Sequence, residues 1–577
     1  MSLLNNLFAK NNKPSKNAES IELEITGMTC DHCATGIEKK LGVDKGILEM
    51  NVSYPEAKGR FAYDPNLTSK EGISNAINAM GSYKVKDDHV TGMTQHISSG
   101  NGDNGFENSS FDLIIIGGGS GAFSAAIKAE SMGLNTLMVN GGLDFGGTCV
   151  NVGCVPSKNL IRAAEAAHNA THSNFKGVIP RGVDIDFKQV IKDKKELVAT
   201  LQQKKYMDVV SEFQFLTMKT GWAKFTDEKS IIVDGKDEYT AIKFIIATGA
   251  TTNIPDIEGL NDVGYLTNVS LFDLEEQPES ITIMGAGYIG LEIAMAYSRL
   301  GTKVRIIEFT DRVLRSQTPD ISEALEAQMR DEGIEILPNF RAFKVEKEGE
   351  QTIIHCKCPD GSTKKLVEPG KLVIATGTRA NTQKLGLDNI GLRLDEKGHV
   401  MVNEKMETNL SHIFAVGDVT DTPAFVYTAA FEGKTATENA FTSAGNVVDY
   451  SSLPWVVFTD PQIAGAGMDE TQAEALNIPF EVSNLPLKEV PRSIAANDTR
   501  GFIKLIRNTE TDKLIGARVV APEGGELIQQ LSMAIKYGIT VKELAESFYP
   551  YLTLSEGIKL AAITFGKDVS TLSCCAT

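Results

Sequence analysis

The chain has 577 residues, too many for one hydrophobic core, and its length implies roughly three or four domains. Hydrophobic residues make up 42% and charged residues 23%, the balance of an ordinary water-soluble protein. Its 57 basic against 75 acidic residues leave a net charge of −18, which argues against a broad nucleic-acid or membrane surface. The first residues, "MSLLNNLFAKNNKPSKN", lack the apolar core and small-residue cleavage site of a signal peptide. The most apolar stretch, "ITIMGAGYIGLEIAMAY", carries Glu292, so no membrane span is expected and the protein should be cytoplasmic.

Residues 1–18 are polar and predict no regular structure. "IELEITGM" alternates as a half-buried strand and "CATGIEKKL" begins a helix. "ILEMNVSYPEAKGRFAY" predicts a hairpin, "SKEGISNAINAM" a second helix and "SYKVKD" a last strand. The order β-α-β-β-α-β predicts a small ferredoxin-like domain over 19–86. Within it, "GMTCDHC" resembles the heavy-metal-associated motif, and Cys30 and Cys33 stand around its strand–helix turn. Two residues between thiols permit linear capture of a soft ion, and a helix N-terminus lowers thiol pKa. A thioredoxin-like redox pair is the rival, but the domain is too short for it and has the wrong strand order. Residues 87–109, rich in Gly, Asn and Ser, read as a flexible linker.

The main body opens with "FDLIIIGGGSGAFSAAIKAE", a buried strand, a Gly-rich turn and a helix, and "SITIMGAGYIGLEIAMAYSRLG" repeats that order. Such a turn matters between a strand and a helix, where the backbone approaches a pyrophosphate resting on the helix N-terminus. Gly117, Gly119 and Ala122 meet that context, as do Gly285, Gly287 and Gly290, so two dinucleotides are expected. An acidic partner for ribose hydroxyls is expected about 20 residues on. The second unit supplies Glu308, which favours NADH by repelling a 2′-phosphate, whereas the first supplies Asn140, which still hydrogen-bonds a hydroxyl. "IIATGA", "VIATGT" and "IFAVGDVT" then bring Thr248, Gly249, Gly377 and Asp418 as further cofactor-binding candidates. From "LPWVVFTDP" onward the fingerprints stop and an α+β segment begins.

The eight cysteines form four close pairs, which in a cytosolic chain point to metal or redox chemistry rather than a disulfide scaffold. In "GGTCVNVGCVPSK", Cys149 and Cys154 have four residues between them and open a helix after the first nucleotide unit. With both fingerprints and "AVGDVT", this resembles the flavin-dependent pyridine nucleotide–disulfide oxidoreductases over about 110–577. The resemblance implies two Rossmann-like α/β domains and an α+β dimerisation domain. It also implies bound FAD, NADPH or NADH as the donor, and a homodimer. It makes Cys154 the thiol that contacts the flavin and Cys149 the exchanging thiol. Lys158 and Glu292 would pair beside the flavin's reactive nitrogen, Asp418 would hold the ribityl chain, and Gly147 and Thr148 would line the cofactor.

Dithiol-using members carry a histidine in "HPTxSE" near the C-terminus, but here "FYPYLTLSE" places Tyr551 at that position. Losing a positioned base forfeits about 10²–10⁴ in rate, so an organic disulfide is a poor substrate. A soft metal ion held by thiolates needs little proton transfer. The chain ends in "LSCCAT", and Cys574 and Cys575 read as a metal-catching tail. These features resemble the family members that reduce Hg(II) to Hg(0). By that resemblance the tail hands Hg(II) to Cys149 and Cys154 of the other subunit, flanked by Tyr206 and the partner's Tyr551. The expected layout is a heavy-metal-associated domain (19–86), the linker (87–109), an FAD-binding domain (110–255), an NAD(P)H-binding domain (256–375), a second FAD-binding or central part (376–450) and the dimerisation domain with its tail (451–577). A flavin disulfide reductase and a soft-metal chaperone are the competing readings. Cys356 and Cys358, alternating on a strand, read as structural.

Overall fold

The computed structural model describes residues 19–26, 37, 41, 46–53, 57–65, 67–78, 84–85 and 109–567. Residues 1–18, Cys30, Cys33, nearly all of 87–109, Cys574 and Cys575 lie outside the described residues. The chain divides into two compact units, Met1–Gly105 and Phe106–Thr577.

In the first unit, β1 (Glu19–Thr26), β2 (Ile47–Ser53), β3 (Lys58–Tyr63) and β4 (Lys84–Val85) form one antiparallel sheet in the order β2-β3-β1-β4. That is the order expected of βαββαβ. Helix α1 (Lys70–Asn78) buries Ile73 and Ile77 one turn apart, and helical Ile37 and Leu41 do the same against Leu23, Ile25 and Phe61.

The second unit holds five sheets, of which the three largest frame the site. The first has β5 (Ser110–Ile116), helix α2 (Ser120–Ser131), β6 (Thr136–Asn140), helix α3 (Gly147–Asn151), helix α4 (Cys154–Thr171), helix α5 (Phe187–Gln202), β7 (Leu216–Thr220), β8 (Ala223–Asp227), β9 (Ser230–Val233) and β10 (Asp237–Ile246). Its strands run β7-β6-β5-β10-β9-β8, parallel from β7 to β10. Central β5 has the continuous apolar run of a strand covered on both faces, with Leu113, Ile114 and Ile115 fully buried.

The second sheet holds β11 (Ser280–Met284), helix α6 (Tyr288–Arg299), β12 (Lys303–Ile307), helix α7 (Pro319–Asp331), β13 (Glu335–Leu337) and β14 (Lys371–Ile374). Its strands are all parallel in the order β13-β12-β11-β14. The chain then returns to the first sheet through β15 (Ile413–Ala415), which pairs with β10 and leads into helix α8 (Val426–Phe441).

The last sheet is antiparallel, in the order β16 (Trp455–Val457), β17 (Gln462–Gly467), β20 (Leu514–Ala521), β19 (Phe502–Asn508), β18 (Phe480–Pro486). Helices α9 (Gly524–Lys536), α10 (Val541–Glu546) and α11 (Glu556–Ile563) cover it through Leu527, Leu531, Leu544 and Ile558. No described helix is long and apolar enough to cross a membrane.

Candidate active site

Cys149 lies in the short helix α3 and Cys154 is the first residue of the 18-residue α4. Both are free thiols, Cys149 half-buried and Cys154 exposed. Two neighbouring thiols do not ionise together, and the proton leaves Cys154 first. The hydrogen bond from the Cys149 thiol, then the Lys158 charge, hold Cys154 down to about 7. Cys149, donating that bond and partly buried, is pushed far up. The N-terminus of α4 favours the same thiolate.

Lys158 sits one turn along α4 from Cys154, on the same face. Its Nζ donates to Glu292 Oε2 at 2.6 Å, and Glu292 is buried on α6 in the other nucleotide unit. Phe458 completes the pair: its backbone N–H donates to Glu292 Oε1 at 2.9 Å, and its ring lies 4.5 Å from Lys158 Nζ. Tyr206 falls in a π-turn (Gln203–Met207) that extends α5. Its ring meets Phe123 edge-on at 4.9 Å, and burial, with the neighbouring cysteines, raises its hydroxyl pKa. A widened turn of this kind often marks a functional position.

The two fingerprint turns share one geometry. Gly119 caps α2 at φ −92°, ψ −170°, and Gly287 caps α6 at φ −82°, ψ −174°. Gly117 and Gly285 have positive φ, and a Cβ on them would meet the carbonyl oxygens of Ala247 and Ala375 at 2.1 and 2.3 Å. A Cβ on Gly290 would lie 2.2 Å from Gly285 O, whereas one on Gly287 would meet nothing within 4 Å. So Gly285 and Gly290 bring helix and strand together, and Gly287 leaves open the space that a phosphate group needs. The site thus fits a dinucleotide at each turn. In the first, Ala122 is buried under the turn, and Gly147 packs so close that its Cβ would lie 2.5 Å from Gly119 Cα. Thr148 follows in the exposed first turn of α3.

Asn140 and Glu308 stand at the ends of the strands following each turn, both buried. Asn140 donates to Leu143 O at 2.8 Å. Glu308 accepts from Ala286 N at 2.7 Å and from Thr310 N at 2.8 Å, so its carboxylate is anchored in the turn itself. Thr248 exchanges hydrogen bonds with Asn381, and Gly249 and Gly377, both at positive φ, open beside that junction.

Asp418 lies in the turn after β15, and burial raises its pKa. The turn is braced from below by Glu432, wholly buried, which accepts from Gly417 N at 2.6 Å and from Tyr450 OH at 2.7 Å. Neither Glu432 nor Phe458 was expected from the sequence. Glu432 lies in α8, the helix that follows the "AVGDVT" turn, which is a usable signal, but the backbone N–H by which Phe458 holds Glu292 leaves none. Tyr551 is half-exposed in the loop between α10 and α11, near exposed Phe548 and Leu552. Cys356 is buried in its strand with its thiol pushed up to about 11, as a structural cysteine should be.

Residues 111–433 match the family described as "Pyridine nucleotide-disulphide oxidoreductase", and residues 453–562 match the dimerisation domain of that family. A mercuric reductase of Staphylococcus aureus is 37% identical over 96% of this chain and 99% of its own length. A mercuric reductase of Streptomyces lividans is 41% identical over 81% of this chain and 98% of its own. Among solved structures, the HOCl-induced flavoprotein disulfide reductase RclA of Escherichia coli superimposes with a TM-score of 0.69 at 27% identity, covering 78% of this chain and 98% of its own.

Proposed function

Because the chain belongs to the pyridine nucleotide-disulphide oxidoreductase family, and within it to the mercuric reductases, we infer that it reduces Hg(II) to Hg(0). It is an FAD-dependent oxidoreductase using NAD(P)H, with the net reaction NAD(P)H + Hg(II) → NAD(P)⁺ + Hg(0) + H⁺. When bound, FAD supplies the two-electron carrier between the nicotinamide and the thiol pair. The turn at Gly117, Gly119 and Ala122, with Asn140, Gly147, Thr148, Thr248, Gly249 and Asp418, would hold it. Gly285, Gly287, Gly290, Glu308 and Gly377 would hold the nicotinamide nucleotide, with NADH preferred.

The observation that carries this reading is a thiol pair without a dithiol base. Cys154 is the more acidic thiol, held down to about 7, and Cys149 is its proton-bearing neighbour. A soft ion binding both releases that last proton and gains a linear two-sulfur site. Lys158 and Glu292 stand behind the pair as a matched charge, and Tyr206 closes one side. The partner's Tyr551 closes the other, which requires the homodimer that the dimerisation domain supports. Cys574 and Cys575 of the partner subunit pass Hg(II) inward, thiolates replacing one another so that no free ion forms. The front domain, with Cys30 and Cys33, is a tethered accessory for capture, and the enzyme works in the cytoplasm to detoxify mercury.

The test is nicotinamide oxidation by the purified protein under argon. Consumption should start only when Hg(II) is added with excess thiol, and lipoamide or glutathione disulfide should not replace it. Turnover with a disulfide and none with Hg(II) would favour the disulfide-reductase reading.

A further inference from the structure

A short segment of the C-terminal domain, residues 458–460 between β16 and β17, meets helix α6 beside the Lys158–Glu292 pair. Helix α6 presents Glu292, Met295 and Arg299 to it at spacings of three and four, a single helical face. Each makes one polar contact. Glu292 Oε1 accepts from Phe458 N at 2.9 Å, Met295 Sδ accepts from Asp460 N at 3.0 Å, and Arg299 Nη2 donates to Asp460 Oδ2 at 2.9 Å.

Asp460 is also gripped from the other side, where Arg500 Nη2 donates to Oδ1 at 3.0 Å. Both arginines are themselves held by acids. Arg299, its side chain 4% exposed, makes two 2.7 Å bonds to Glu332, and Arg500 makes bonds of 2.8 and 2.7 Å to Asp498. The result is an alternating row, Glu332–Arg299–Asp460–Arg500–Asp498, with Asp460 at its centre and each charge paired. A mostly buried paired row does little for net stability, but it fixes geometry, because removing one member leaves its neighbours unmatched.

What this geometry fixes is Phe458. Its N–H occupies the Glu292 oxygen that Lys158 leaves free, and its ring faces the Lys158 ammonium. We propose that Asp460 and Phe458 are positioning residues of the reaction: the three-point seating of 458–460 on α6 holds Lys158 and Glu292 in place, so the C-terminal domain sets the geometry on the nicotinamide side. This rests on the reading that the pair stands beside the flavin.

The test separates the two half-reactions in full-length, FAD-replete enzyme by anaerobic stopped-flow. Asp460→Asn should slow flavin reduction by NADH about tenfold or more, the scale of a small misplacement near the chemistry. Reoxidation of dithionite-reduced Asp460→Asn by thiol-bound Hg(II) should stay near the wild-type rate, and the visible spectrum of its oxidised flavin should shift. Phe458→Leu keeps the backbone N–H and loses only the ring, so flavin reduction should slow by about threefold, the cation–π share. Wild-type flavin reduction and spectrum in Asp460→Asn would overturn the proposal, as would equal slowing of both half-reactions. If Asp460→Asn fails to fold or to hold FAD, Phe458→Leu decides by the same two outcomes. Glu292→Gln distinguishes the levels. Slowed reduction there with wild-type behaviour in the other two variants removes only this proposal, and a wild-type rate in Glu292→Gln removes the reading of the pair and the proposal together.

Discussion

Replacing Gly285 and Gly287 by alanine, two residues apart in one turn, should give opposite phenotypes. Gly285 has φ +108°, and its new Cβ would lie 2.3 Å from Ala375 O. Backbone strain of about 1–3 kcal/mol and the steric shift add to roughly 3 kcal/mol or more. That lowers the melting temperature by about 6–12 °C for a domain of this size. Gly287 has φ −82°, and its Cβ would meet nothing within 4 Å. Stability should therefore hold, or rise by about 0.4–1 kcal/mol as the unfolded chain loses freedom. The added methyl instead stands where the nucleotide's pyrophosphate must approach the helix N-terminus. KM for NADH should rise about tenfold or more, equivalent to about 1.4 kcal/mol. Melting curves and initial rates on the two purified variants decide it. A Gly287→Ala enzyme with wild-type KM, or one as destabilised as Gly285→Ala, would refute the assignment of that turn.

Four further outcomes follow, two from the site's geometry and two from the sequence motifs outside it. Alkylation of Cys154 in the reduced enzyme should rise with pH around a midpoint of about 7, since its thiolate is present above that value and lost below it. Lys158→Met should move that midpoint up, and a midpoint near that of a free thiol in both proteins would show that the pair is uncoupled. The Glu308 carboxylate should favour NADH over NADPH by roughly 1 kcal/mol or more at an effective dielectric of about 20, read as a ratio of kcat/KM. Glu308→Gln should narrow the ratio, and equal or better use of NADPH by the wild type would count against it. Replacing Cys574 and Cys575 by Ala should cripple turnover of thiol-bound Hg(II) and leave flavin reduction by NADH unchanged, whereas deleting residues 1–100 should leave kcat with a small-thiol complex nearly unchanged. Loss of flavin reduction in the tail variant, or a large fall in kcat on the deletion, would contradict these roles.

Residues that act within one local motif were legible in the sequence. Cys149 and Cys154 fall in one short motif and the fingerprint glycines sit between an apolar strand and a helix, so spacing marks them as candidates, while the roles of the two thiols and of Lys158 came from the family resemblance. The βαββαβ strand order of the front unit also followed from alternation and turn signals. The Lys158–Glu292 pair joins positions 134 residues apart, and only the family resemblance linked them. Phe458 and Asp460 could not be found this way. One holds Glu292 through a backbone N–H that any residue but proline carries, and the other works through arginines 161 residues before it and 40 after it. The π-turn that carries Tyr206 is likewise a widening of the helix that residue types do not announce.

The central claim is that electrons from the nicotinamide leave the protein on mercury. A sealed anaerobic reaction with NADH, thiol-bound Hg(II) and the FAD-replete enzyme, swept with argon into a mercury-vapour detector, measures this directly. One Hg(0) should be released for each NADH consumed, and none from an enzyme carrying Cys149→Ala and Cys154→Ala. NADH consumption without mercury vapour, or vapour from the double variant at the wild-type rate, would contradict it.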